Sequence, residues 1–290
     1  MPITTTTSGP ALAATVALLV FAPCAGAADA LVAAAPGAKN LAAGEGWRAW
    51  AAPKAPGRWQ LVIGAPDGTI QAANIKSFGV PPDASISETS FAGPDRRVVA
   101  VYSRCRGASA TTGCDIFQYD LAAGSERKLT RISTKAGSET APSIFVESYA
   151  FARRGGPRPG TYTASRRHVR RVDSRVARET AVTHSRVAYR VGDAIIMSQL
   201  AGHRRRTIAT GRGIFGVVLT RYRVGWLQRA GHRTVAFMTD RIKRSDSVTV
   251  RQGTHDLPAS TQSAVTDSSR ITEYLDATGI KRAEPPLFRY

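Results

Sequence analysis

The chain predicts an all-β fold, and three features of the sequence carry that prediction. Beyond residue 40, apolar residues nowhere hold the i, i+3, i+4, i+7 spacing of an amphipathic helix for three turns. Short alternating runs rich in Val, Ile, Tyr and Phe recur instead. Clusters of Gly, Pro, Asp and Ser, the residues that turns require, separate those runs. With 290 residues and 43% hydrophobic content, the chain can bury one sizeable core or two modest ones.

The first 27 residues contain no Lys, Arg, Asp or Glu, and their apolar run ALAATVALLVFA (11–22) leads to the small-x-small site Ala25-Gly26-Ala27. This pattern, although it has no basic start, reads as a secretory signal peptide over residues 1–27. Its 12 apolar residues fall short of the roughly 20 that span a bilayer. Cys24 follows Pro23, where a lipid-modified cysteine calls for a small residue. The remainder, residues 28–290, is expected to form one domain with no transmembrane segment. It keeps Cys105 and Cys114, and outside the cytosol two cysteines suggest one disulfide, with two inert thiols as the alternative. A bridge closing so small a loop would stabilise by roughly 2–3 kcal/mol.

Along the chain the runs fall into groups. The first holds WRAWAA (47–52), RWQLVIGA (58–65) and TIQAANI (69–75), with Ala65-Pro66-Asp67-Gly68 as a turn between the last two. RRVVAVYS (96–103), DIFQYDL (115–121) and RKLTRI (127–132) make the second, and ESYAFARR (147–154), GTYTASRR (160–167) and HVRRVD (168–173) the third. SRVAYRVG (185–192), AIIMSQL (194–200) and RRTIAT (205–210) follow as a fourth. RYRVGWLQ (221–228), RTVAFMTD (233–240) and SVTVR (247–251) form the fifth, while the sixth offers RITEYLDA (270–277) and a Pro-interrupted end at 284–290.

Glu-Thr recurs at Glu88, Glu139 and Glu179, at offsets of 51 and 40 residues, each time shortly before an apolar run. Periods of this length with about four short strands each are the signature of a β-propeller built from four-stranded antiparallel blades. Six blades divide the chain most evenly; five, seven, or a sandwich of the same meanders are the alternatives.

The second group also resembles a known family. Pro94-Asp95 before VVAVYS, then DIFQYD, then the closing RKLT, is similar to the repeat of TolB-like propellers. Pro94, Asp95, Ser103, Asp115, Ile116, Asp120, Leu129 and Thr130 match that pattern position by position, whereas Gly93 and Arg96 depart from it. The match is close over about one blade. It implies a six-bladed propeller and no more, because a chain of this length leaves no room for the separate N-terminal domain of TolB and its partnerships.

Chemistry-bearing motifs are scarce. There is no G-x-S-x-G, and the five histidines show no metal-ligand spacing, so neither a hydrolase of that type, nor a metal, nor a cofactor is expected. Glu88, Glu139 and Glu179, placed just ahead of the innermost strands, could form an acidic ring at the channel mouth or could simply cap turns. The net charge of +19 carries more weight: Arg outnumbers Lys 33 to 7. Between Arg153 and Arg206 there are 14 arginines and three acids, including the runs Arg166, Arg167, Arg170, Arg171 and Arg204, Arg205, Arg206. Such a field attracts polyanions. Behind a signal peptide the anionic partner is an envelope polymer or protein rather than nucleic acid, and the arginines lack the interleaved aromatics that base stacking needs. A secreted, monomeric, non-enzymatic binding scaffold is therefore expected, with a propeller enzyme acting at the channel mouth on a lactone or glycan as the alternative. Coding bias toward Arg would explain the charge without a function. If the segment over residues 1–27 is a signal peptide, mass spectrometry of the exported protein will find its N-terminus at Ala28. An N-terminus at Met1 in the cytosolic fraction would overturn export.

Overall fold

In a computed structural model the chain forms six antiparallel sheets around one channel, a six-bladed β-propeller with no helix among the described residues. The structure describes residues 29–283 except 92, 94–95, 107–111, 167, 222, 241–247, 254–255 and 267–271. The leading segment, Cys24, Pro94, Asp95 and the end at 284–290 lie outside the described residues.

The first strand, β1 (Ala30–Ala34), belongs to the last blade. Blade 1 follows with β2 (Lys39–Gly44), β3 (Trp47–Ala55), β4 (Arg58–Gly64) and β5 (Ile70–Ala72), and blade 2 with β6 (Ala84–Glu88), β7 (Val98–Cys105), β8 (Cys114–Asp120) and β9 (Ser125–Lys128). Blade 3 holds β10 (Ser138–Phe145), β11 (Ser148–Arg154), β12 (Gly160–Ala164) and β13 (Val169–Asp173). In blade 4 the strands are β14 (Glu179–Val182), β15 (Arg186–Val191), β16 (Ala194–Gln199) and β17 (Arg206–Thr210). Blade 5 has β18 (Ile214–Leu219), β19 (Val224–Ala230), β20 (Arg233–Thr239), β21 (Val250–Gln252) and the short β22 (Leu257–Pro258). Blade 6 consists of β23 (Ser263–Thr266), β24 (Thr272–Leu275) and β25 (Gly279–Arg282), and β1 pairs with β25 as its outermost strand. That pairing closes the ring with the first and last described strands in one sheet.

The alternating runs in the sequence proved to be the second, third and fourth strands of blades 1 to 5 and the second strand of blade 6. The innermost strands β2, β6, β10, β14, β18 and β23 escaped that reading because KNLAAG, ASISE and SETAPSIF are short, small or polar, and show no clean alternation. One face of such a strand lines a channel, so it needs no apolar side chain there. The inner strands touch in the cyclic order β2, β6, β10, β14, β18, β23 and back to β2.

Hydrophobic burial is divided among the six gaps between blades. Leu61 and Ile63 meet Ala100 and Tyr102 across the first gap, and Val99, Val101 and Ile116 meet Ile144, Phe151 and Tyr162 across the second. The same arrangement continues around to the closing gap, where Leu275 and Ile280 pack on Leu41 and Trp50. Each blade is therefore buried on both faces, and stability is built from nearest-neighbour interfaces.

The six blades alternate in type. In blades 1, 3 and 5 the inner strand carries a β-bulge: two residues, Asn40-Leu41, Ala141-Pro142 or Gly216-Val217, stand opposite one aromatic, Trp50, Phe151 or Trp226. The first residue of each bulge has positive φ: 56° at Asn40, 49° at Ala141 and 64° at Gly216. Blades 2, 4 and 6 have regular inner strands, and there a tyrosine, Tyr102, Tyr189 or Tyr274, pairs with Ala84, Thr180 or Ala264. All three tyrosines are buried, and each donates its hydroxyl to a carboxylate, Glu126, Asp173 or Asp29. The propeller is thus three two-blade units.

Loop geometry follows local chemistry. Asp67 accepts a bond from the Thr69 amide, and Gly68 has φ 88°, as the turn residues predict. Asp120 does the same for Ala123. Cys105 and Cys114 are directly paired across β7 and β8 and are joined as a disulfide, in agreement with the sequence reading. At the bulge of blade 3, Ala141 holds a left-handed conformation that costs a residue with a Cβ about 1–2 kcal/mol. Ala141→Gly should therefore stabilise by about 1 kcal/mol and raise the melting midpoint by about 2–4 °C, while Asn40→Gly should not, because it also removes the side-chain bond to the Pro82 carbonyl. An unchanged or lower midpoint for Ala141→Gly would show that the bulge there carries no strain.

Candidate functional site

The inner strands enclose a channel with a cavity of about 800 Å³. Most polar side chains on its wall are engaged in holding the wall together. Ser85 and Ser87 accept the amides of Ile144 (3.2 Å) and Val146 (3.0 Å) on the next blade. Thr180 donates to the Ala141 carbonyl at 2.7 Å, and Asn40 donates to the Pro82 carbonyl at 3.0 Å. Where a bulge frees an amide, the preceding regular blade supplies the acceptor: Ser263 for Leu41 (3.1 Å), Asp83 for Ala141 (2.7 Å) and Glu179 for Val217 (2.9 Å). In blade 3 the bond shifts back by one residue because Pro142 has no N–H. Asp83 also accepts both the amide and the hydroxyl of Ser103. Burial nevertheless pushes its carboxyl above the usual range, with those bonds acting in the opposite direction.

The structure does not gather Glu88, Glu139 and Glu179 into a ring. Glu139 and Glu179 lie within inner strands rather than ahead of them, and Glu88 ends β6, so it sits at the opposite end of the channel from Glu179. Glu139 is fully buried and bonds Thr134 and Arg153, its cross-strand partner. Glu179 lines the channel, where Arg190 binds it bidentately at one oxygen and the Val217 amide takes the other. Glu88 is paired with Arg96. The acids act as ties between strands and blades. Register explains the correction: an alternating run identifies a second strand, and the inner strand lies one element earlier.

The mouth at the C-terminal ends of the inner strands carries residues that the sequence reading passed over. Phe91, from the loop after β6, packs edge-on against Phe145 at the end of β10 (5.9 Å between centroids) and against His184 (6.2 Å). Phe145, Thr183, Thr220, Arg221, Arg223 and Glu45 line the channel at this end. The pairwise spacing of these residues, more than 35 apart in sequence from blade to blade, gives no local motif.

The two arginine runs meet. Arg166 lies in the turn before β13, Arg170 and Arg171 lie on β13, and Arg204 and Arg205 precede β17, which Arg206 begins. Arg167 lies outside the described residues. Arg170 donates to the Ala201 carbonyl (3.0 Å) in the turn that leads to Arg204, which joins the edge of blade 3 to blade 4. Arg171 donates to the Pro159 carbonyl. Arg166 pairs with Glu147, while Arg205 and Arg175 share Asp173 at 3.4 and 2.8 Å. Burial alone would raise the Asp173 carboxyl, but the Arg175 side chain and amide and the Tyr189 hydroxyl hold it below the usual range. Burial and the same carboxylate push the Tyr189 phenol well above its ordinary value.

No family model matches the chain, and no curated protein matches it in sequence. In structure it is similar to a chain of a nidogen/laminin complex, with TM-score 0.52 and 11% identity over 70% of this chain and 76% of that one. It is also similar to TolB from Acinetobacter baumannii, with TM-score 0.51 and 15% identity over 74% of this chain. The likeness is one of fold. This chain spans 56% of TolB, and 44% of the GH74 xyloglucanase from Xanthomonas campestris, which it resembles at TM-score 0.50 and 12% identity over 84% of its own length. Among the described residues, no three His, Cys, Asp or Glu side chains are grouped to hold a metal ion.

Asp173 provides a direct test of the arginine edge. Because its folded-state pKa is depressed, its contribution is present above the ordinary carboxylate range and is lost as pH falls through the folded value. Asp173→Asn should cost about 1.5–3 kcal/mol at pH 7, and denaturant titrations should show that loss shrinking as pH falls through the depressed folded value. A cost independent of pH would mean that the carboxylate charge is not what holds Arg175 and Arg205.

Proposed function

We propose that the protein is an extracytoplasmic, non-enzymatic binding scaffold whose arginine surface holds an anionic partner, a polymer or protein of the cell envelope. The observation that carries this reading is the meeting of the two arginine runs on adjoining edges of blades 3 and 4 through Arg170 and Ala201. Arg170 and Arg171 bond carbonyls, and a neutral acceptor leaves the guanidinium charge available to an outside anion. The rigid blades hold that charge in place without spending side-chain or loop order on binding. The net charge of +19 adds long-range attraction. A signal-like leader and the Cys105–Cys114 disulfide both support an oxidising compartment. Asp83 and Glu179, which reach the channel, are engaged in holding strands, which favours binding over acid–base chemistry at their positions.

The test is retention on dextran sulfate beads. The protein should bind at low salt and elute as salt approaches about 0.5 M, where screening is nearly complete over contact distances. Reversing Arg166, Arg167, Arg170 and Arg171 to Glu should abolish retention without lowering the melting midpoint by more than a few degrees, since exposed substitutions cost little. Retention that ignores salt, or that survives the reversal, would overturn the reading.

A further inference from the structure

Phe91 is the most exposed large apolar side chain among the described residues, at 63%. An isolated exposed phenylalanine needs no explanation, but this one is built into a group. It leaves blade 2, reaches over Phe145 of blade 3 and touches His184 of blade 4, so one aromatic cluster spans three blades and adjoins the cavity through Phe145, which lines it. Facing it across the opening, blade 5 contributes Thr220, Arg221 and Arg223, and blade 1 contributes Glu45. The turns that follow the first and third strands of a blade lie on one face of the propeller, so the turns bearing Arg166 and Arg204 open onto the same face as Phe91.

We infer that this mouth is a sugar-binding site that takes the end of an acidic glycan, with Phe91 as its stacking platform. The inference rests on the anionic-partner reading above and names the chemistry of the partner. A pyranose has an apolar C–H face and a polar edge. The C–H face covers an exposed aromatic ring and removes its area from water. The hydroxyls meet Thr183 and Thr220, and the carboxylate of a uronic acid meets the guanidinium groups of blade 5. A cavity of about 800 Å³ lies within the size range of sites that take small ligands. The opening is ringed by blades on every side rather than laid out as a groove, so it suits a chain end. Nucleic acid fits less well, because single strands are held by successive stacked bases along a basic track, whereas here the aromatics stand together at one opening. The rest of an acidic chain leaving the mouth would run over the arginines of blades 3 and 4, so that one ligand engages both features and gains by multivalency.

Three probes separate these features: an alginate tetrasaccharide, neutral maltotetraose, and dextran sulfate beads. Calorimetry should show saturable binding of the alginate tetrasaccharide, much weaker binding of maltotetraose, and a loss of about tenfold or more in affinity for alginate in Phe91→Ala. His184→Ala should weaken binding in the same direction. Both variants should keep the wild-type melting midpoint and wild-type retention on dextran sulfate, because neither residue belongs to the arginine edge. No saturable binding of the tetrasaccharide by the wild-type protein, or an affinity within about twofold of wild type in Phe91→Ala, would overturn the sugar site. Phe91-dependent binding of a short oligothymidylate in place of the sugar would overturn the ligand class. Retention on dextran sulfate that persists in these cases leaves the arginine surface standing, and its loss in the wild type removes that surface independently of the mouth.

Discussion

The fold depends on how six inner strands that do not share a main-chain hydrogen-bond ladder are held side by side. Each presents one edge to its own blade and the other to a neighbour that is rotated away from it. The unpaired backbone groups on that second edge cannot be left bare in a packed wall. Side chains complete the pairing: Asp83, Ser85 and Ser87 stitch β6 to β10, Glu179 ties β14 to β18, and Ser263 ties β23 to β2. The alternation of bulged and regular blades follows from the same requirement. A bulge frees an amide, and a regular strand places an acceptor at the matching height on its neighbour. A pair of unlike blades is therefore the smallest unit that satisfies itself.

That economy shapes what the channel can do. Asp83, Glu139 and Glu179 are already hydrogen-bonded to backbone, to Ser103 or to arginine. The polarity of the wall is structural first, and recognition falls to the rim, where loops and strand ends are released from pairing. Phe91, His184, Arg166, Arg204 and Arg221 lie on such segments, carried by rigid strands. Binding residues on loops positioned by a stiff scaffold is the general pattern of folds like this one.

Much of the scaffold could be read in the chain. Strands such as β7, β11, β15 and β19 declare themselves because their side chains are buried on both faces between blades and must be apolar. Turns at Asp67-Gly68 and Asp120 to Gly124 declare themselves because few residues tolerate their geometry. The disulfide was legible because Cys105 and Cys114 are the two cysteines beyond residue 27. The inner strands were not, since a strand that faces a channel has no periodic apolar side. Nor was the role of Glu139 and Glu179: a recurring Glu-Thr suggested a shared place, but a carboxylate directly opposite an arginine in register is a tie, and register is set by pairing across strands.

The sequence by itself determined the all-β class, the repeat, the excess of arginine and where it is concentrated, because these follow from local spacing and composition. Tertiary structure decided which strands face the channel, that β1 completes the last blade, and that blades alternate in three pairs, because these depend on contacts between residues far apart in the chain. It also decided that Arg170 meets the turn before Arg204, and that Phe91, Phe145 and His184 share one rim. Such meetings are made when blades pack around a ring, and the closure of that ring is a property of all six gaps together rather than of any one segment.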